Sequence, residues 1–117
     1  MGDPVMNFEI NSADPKKAQG FYGAVFGWKM VAAPDPTYTF VDTDAGGRGI
    51  GGGIGPLRGG KAFVTMYVVV PDLEATMKKA VDAGGKTVMP VTKVGPTTTI
   101  GIFSDPDGNV IGITDGK

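Results

Sequence analysis

The chain has 117 residues, 41% of them apolar and 20% charged, with a net charge of −1 at neutral pH. This suits one globular domain with a real core and gives no electrostatic attraction toward nucleic acid or a membrane surface. There is no cysteine and no histidine. Disulfides, thiolate chemistry and imidazole ligation are therefore excluded, and any metal would rest on carboxylates and neutral oxygens, a set suited to magnesium or calcium rather than zinc, nickel or iron. No apolar run reaches membrane-spanning length, so a cytoplasmic location is expected.

In chain order, the first element is "MNFEI" (6–10), where Met6, Phe8 and Ile10 alternate with Asn7 and Glu9. Period two predicts a strand with one buried face. Its polar face either meets water or looks into a pocket. Asp14 and Pro15 then open a helix as N-cap and first helical residue. Ala18, Phe21, Tyr22, Val25 and Phe26 form one apolar stripe, and Gly27 suits a left-handed stop. Trp28 to Ala32 predicts a short strand, 37–43 an alternating strand, and "RGIGGGIG" (48–55) a weak, glycine-rich one. In the second half, 62–70 predicts a strand. Asp72 caps a helix with Leu73, Thr76, Met77, Ala80 and Val81 on one face and Gly84 as its stop. "KTVMPV" predicts a strand broken at Pro90, and 97–105 and 110–114 predict two strands around a "PDGN" turn.

The two cap residues, Asp14 and Asp72, are offset by 58 positions. At that offset Asn7 falls on Thr65, Phe8 on Met66 and Glu9 on Tyr67. Each half reads β-α-β-β-β, so the expected organisation is a tandem duplication within one domain, module one about 1–58 and module two about 59–117.

Three segments, "NFEINSADPKKAQGFYGAVFGWKM", "YVVVPDLEATMKKAVDAGGKTV" and "FSDPDGNVIGIT", together resemble the vicinal oxygen chelate superfamily of glyoxalase I, bleomycin-resistance proteins and extradiol dioxygenases. The resemblance implies an α+β fold in which two tandem βαβββ modules form a cup-shaped mixed sheet. It also implies a divalent metal held by the first and last strand of each module. The matching positions here are Asn7, Thr65, Gly112 and, in module one, Gly51 or Gly52. Glycine offers no side chain, and one amide with one hydroxyl leaves a divalent ion without charge compensation. No metal or other cofactor is therefore expected. By the same resemblance Asn7 faces the cup, Glu9 shares its face, and Tyr67 is the counterpart of Glu9.

The expected ligand-binding residues are Asn7, Glu9, Thr65, Tyr67 and Trp28, the last weighed against a place in the core. Glu9 is also the candidate catalytic residue. It is either a solvated or paired strand glutamate or a desolvated general base. Arg48 and Arg58 flank the glycine run; arginine is exposed by default, and a rim role toward an anionic ligand is the alternative. "GRGIGG" (47–52) has dinucleotide-fingerprint spacing and "GPLRGGKA" (55–62) resembles a phosphate loop, but neither leads into a helix. The run reads instead as a connector or a lid. The function expected is metal-free, glyoxalase-like binding of a small molecule for sequestration, resistance or sensing. The alternative is a lyase or isomerase using Glu9 as base. A homodimer is expected, because two helices cover only part of the sheets, with no nucleic-acid or membrane partner.

Overall fold

The computed structural model describes residues 2–44 and 46–117. The chain divides into two compact units, one spanning Asn7–Val64 and the other Thr65–Lys117 together with the N-terminal segment up to Met6. The fold is mixed α+β, with eight strands and two helices among the described residues.

The first unit holds β1 (Val5–Ser12), α1 (Pro15–Phe26), β2 (Lys29–Ala32), β3 (Thr39–Asp42) and β4 (Gly52–Pro56). Its strands lie in the order β2-β3-β4-β1, with β1 parallel to β4 and the other pairs antiparallel. The Asp14 carboxylate accepts from the Lys17 amide, Pro15 occupies the first turn, and Gly27 ends α1 at φ 69. The core is Ile10, Val41 and Ile54, with Phe8, Ala18, Tyr22, Trp28 and Met30 packed against it. Phe8 and Ile10 therefore point toward α1, and Asn7, Glu9 and Asn11 point to the opposite face of β1. The helix stripe is only partly used. Ala18 and Tyr22 reach the core, whereas Phe21, Val25 and Phe26 are each more than half exposed.

The second unit holds β5 (Val64–Val69), α2 (Leu73–Asp82), β6 (Lys86–Lys93), β7 (Thr99–Ser104) and β8 (Val110–Thr114). The strand order is β5-β8-β7-β6, with β5 parallel to β8. Asp72 caps α2 by accepting from the Ala75 amide. Leu73 and Met77 pack on Val70 and Ile113. Gly101 makes room for this, since a Cβ there would lie 3.1 Å from the Met77 methyl.

Strand β6 does not break at Pro90. It runs on to Lys93 with register shifts on both sides of Met89. An edge strand tolerates proline because the missing N–H faces away from the sheet, and bulges absorb the irregularity. No helix among the described residues is long and apolar enough to cross a membrane.

The turn joining β7 to β8 is organised by Asp105, whose carboxylate accepts from the Asp107 and Asn109 amides and from Asn109 Nδ2. The Asn109 side-chain and backbone bonds hold this carboxyl below its ordinary value of 3.8. A carboxyl depressed in the folded state stabilises above its unfolded value and loses that contribution as pH falls through the folded one. Asp105→Ala should thus lower the denaturant midpoint at neutral pH, and the gap from wild type should shrink as the pH drops below 3.8. Urea titrations at neutral and acidic pH measure it.

Candidate functional site

The polar face of β1 gathers around Glu9, which is only 3% exposed. Its Oε1 accepts from the Tyr38 hydroxyl at 3.0 Å, and its Oε2 accepts from Asn11 Nδ2 at 2.9 Å and Arg58 Nε at 3.1 Å. A carboxylate taken out of water is costly unless it is paired and hydrogen-bonded. Here three donors, one of them a guanidinium, meet that need. Alternation along β1 brings Asn11 to the face. Tyr38 arrives at the start of β3, on the same face as Phe40, with the two rings 5.7 Å apart. Arg58 follows the end of β4 and reaches back across 49 residues of sequence. The next two residues, Gly59 and Gly60, have φ values of 91 and 94, a left-handed conformation that glycine adopts without penalty.

The glycines of β4 explain how Tyr38 gets there. Gly53 pairs in register with Glu9 and Gly55 with Asn11. A Cβ on Gly53 would overlap the Tyr38 hydroxyl, and one on Gly55 would lie 2.6 Å from its ring. On the other face, a Cβ on Gly52 would lie 2.6 Å from the Phe8 ring. Residues 52–55 are thus neither connector nor lid. They form a strand in which Gly52, Gly53 and Gly55 flank the buried Ile54 and let aromatic rings approach both of its faces.

Asn7 shares the Glu9 face. The Oδ1 atoms of Asn7 and Asn11 are both shielded from solvent and have no hydrogen-bond partner among the described residues. Trp28, expected as a wall of the ligand site, lies on the other side of the sheet. Its ring packs 5.5 Å from Phe8, 5.6 Å from Tyr22 and 4.8 Å from Phe26, in the aromatic layer beneath α1. Thr65 and Tyr67 lie on one face of β5 in the second unit. The Thr65 hydroxyl donates to the Val110 carbonyl at 2.7 Å, tying β5 to the start of β8. Tyr67 is 4% exposed and pairs in register with Gly112, where a Cβ would lie 2.5 Å from the Tyr67 ring. The register also places Gly53 opposite Glu9 as Gly112 lies opposite Tyr67. Gly53, rather than Gly51 or Gly52, is therefore the first-module counterpart of Gly112.

A separate open groove of about 290 Å³ lies in the second unit, with Ala80, Phe103 and Pro106 in its lining. Asp105, at its margin, is already bonded to Asp107 and Asn109.

The family model described as Glyoxalase/Bleomycin resistance protein/Dioxygenase superfamily matches residues 5–113. The chain belongs to this superfamily. It is 27% identical over 114 residues to "Putative glyoxylase CFP32" of Mycobacterium bovis and of Mycobacterium tuberculosis, with 90% of this chain aligned. The match spans only 42% of the length of those relatives. A glyoxylase-like domain-containing protein of Didymella fabae is also 27% identical, covering 90% of this chain and 88% of its own. Among solved structures, a superfamily member from Vibrio splendidus 12B01 has a TM-score of 0.63 at 18% identity, covering 97% of this chain and 98% of its own. A Mn(II)-bound glyoxalase from Novosphingobium aromaticivorans has a TM-score of 0.61 at 16% identity, covering 97% of this chain and 38% of its own.

The donor set at the superfamily's metal positions does not fit a divalent ion. In the first half, Asn7 offers one neutral amide oxygen, Gly53 lies beneath the Tyr38 ring, and the nearby Glu9 carboxylate is held against a guanidinium. In the second, Gly112 lies beneath the Tyr67 ring and the Thr65 hydroxyl is spent on a backbone carbonyl. Among the described residues, no three or more His, Cys, Asp or Glu side chains gather as a metal would require.

Overpacking at such glycines costs about 1–3 kcal/mol. Gly53→Ala should destabilise by that order in denaturant unfolding, and most of the loss should vanish in a Tyr38→Ala background, where the clashing ring is gone. Equal costs in both backgrounds would refute the ring-platform account.

Proposed function

We propose that this protein binds a small molecule at the Asn7–Glu9–Asn11 face without a metal, in the service of sequestration, resistance or sensing. The observation that carries this reading is a buried carboxylate flanked on its own strand by two amide oxygens that have no hydrogen-bond partner among the described residues. Buried polar atoms in folded proteins are nearly always hydrogen-bonded, so such atoms are natural contacts for a ligand. The second reading, a lyase or isomerase with Glu9 as base, draws support from the Tyr38 hydroxyl at 3.0 Å, a group that also suits polarising a carbonyl. Binding is favoured because a base must aim a lone pair at its substrate, and three protein donors already converge on this carboxylate. A cytoplasmic location belongs to the same proposal, since a chain without cysteine gains nothing from an oxidising compartment.

A thermal-shift screen of small molecules in the presence of a chelator tests the binding reading. A molecule that binds only the native state raises the midpoint, by about 2.7 kcal/mol of stability at a hundred times its Kd. At least one hit should keep its shift in chelator and lose it in Glu9→Gln. Hits that appear only with added divalent metal would overturn the metal-free reading, and hits indifferent to Glu9→Gln would move the site elsewhere.

The proposal includes a homodimer. It is supported by α1, which leaves Phe21 and Phe26 each 59% exposed and Val25 54% exposed, more apolar surface on one helix than an isolated chain usually shows. Light scattering at low micromolar concentration should give twice the 12.0 kDa chain mass, falling to the chain mass in a Phe21→Glu/Phe26→Glu variant. Wild type at the chain mass would refute it.

A further inference from the structure

The Glu9 face carries three acceptors in a row, Asn7 Oδ1, the Glu9 carboxylate and Asn11 Oδ1, on alternate residues of one strand. Successive members are thus about 7 Å apart along the backbone. The orientation of the Asn11 amide is fixed by chemistry. Its nitrogen donates to Glu9 Oε2 at 2.9 Å, and turning it over would set oxygen against carboxylate oxygen. Asn11 is 2% exposed, and its Oδ1, like that of Asn7, is an acceptor with no donor among the described residues. The two amide oxygens are the members of the row that no donor among the described residues reaches.

The cation beside the row is Arg58, whose Nε donates to Glu9 Oε2 at 3.1 Å. The same oxygen receives Asn11 Nδ2, so the guanidinium stands directly beside the Asn11 amide. Arg58 is carried on an irregular segment, with the exposed, left-handed Gly59 and Gly60 immediately after it. Its side chain is 19% exposed, against 4% for that of Glu9. Of the two partners in the ion pair, only the arginine has a short route to solvent.

We propose that Arg58 is an internal stand-in for the ligand, and that the ligand is a small organic cation with several N–H donors, a guanidine or an alkylamine. It displaces Arg58 from Glu9 and donates to the amide oxygens of Asn7 and Asn11. This deepens the binding function proposed above and rests on it. An anionic ligand fits the row poorly, because it would bring its charge toward a carboxylate and its acceptors toward two amide oxygens.

Isothermal titration of the full chain with methylguanidine, butylamine and butyrate at low ionic strength tests the assignment. Wild type should bind at least one of the two cations and ignore butyrate. Arg58→Ala, freed of the internal competitor, should bind that cation about tenfold more tightly, the worth of one charge-assisted hydrogen bond. Arg58→Lys should stay near wild type, and Glu9→Gln should lose binding. If Arg58→Ala does not fold, wild type still decides: the Arg58 Nε–H resonance should shift on titration with the cation, and an unmoved resonance overturns displacement. Butyrate binding that Arg58→Ala abolishes would make the face an oxyanion site and overturn the proposal. If neither cation binds wild type or Arg58→Ala, the cation assignment fails. A neutral screening hit that is lost in Glu9→Gln would then leave the broader binding function standing.

Discussion

A carboxylate held out of water on β1 sets most of the demands on its unit. Removing one partner from such a buried pair typically costs about 3–5 kcal/mol, because the remaining charge is left uncompensated. Glu9 therefore ties together parts of the chain that are distant in sequence: Asn11 on its own strand, Tyr38 ahead of β3 and Arg58 beyond β4. Tyr38 reaches it only by lying across β4, and β4 accepts the ring only because Gly53 and Gly55 present bare backbone there. Gly53 and Gly55, costly in chain entropy, follow from the need to satisfy one carboxylate.

The two units meet the same geometric situation with different chemistry. In each, the residue on the first strand faces a glycine across a parallel pair, Glu9 with Gly53 and Tyr67 with Gly112. In the first module the tyrosine comes from another strand and bonds to the glutamate. In the second the tyrosine is itself the first-strand residue and covers the glycine directly. Rings thus occupy the places from which metal-ligand side chains would project. The superfamily fold is retained while the polar chemistry of the first module passes to hydrogen bonding and one ion pair, an instance of function being set by the site rather than by the fold.

The helices, their aspartate caps and the strand order were legible in the sequence because each is written in local signals: period, capping chemistry and turn residues. Asn7 and Glu9 were legible as face-sharing residues for the same reason, and the alternation in "NFEIN" extends that face one step further to Asn11. Arg58 was weighed only for the rim because its partner lies 49 residues away, and no local pattern encodes such a pairing. Trp28 was placed on the ligand side by its position at the head of a strand, whereas the stacking of Tyr22 and Phe26 holds it under α1. The glycine run was legible as a weak strand over 48–55, where β4 lies, but its reading as a connector or lid followed from glycine signalling freedom in sequence. In β4 it serves close approach instead.

Proline in the outermost strand of the second module has a consequence for how copies of this chain meet. Pro90 removes one backbone donor from β6, and the register shifts around Met89 break the regular ladder. In the first module the outermost strand, β2, is only four residues long. Neither of these two strands offers the long, flat row of unpaired amides on which a second molecule could add strand after strand. Fibril growth by cross-β stacking is therefore obstructed at β6 and at β2.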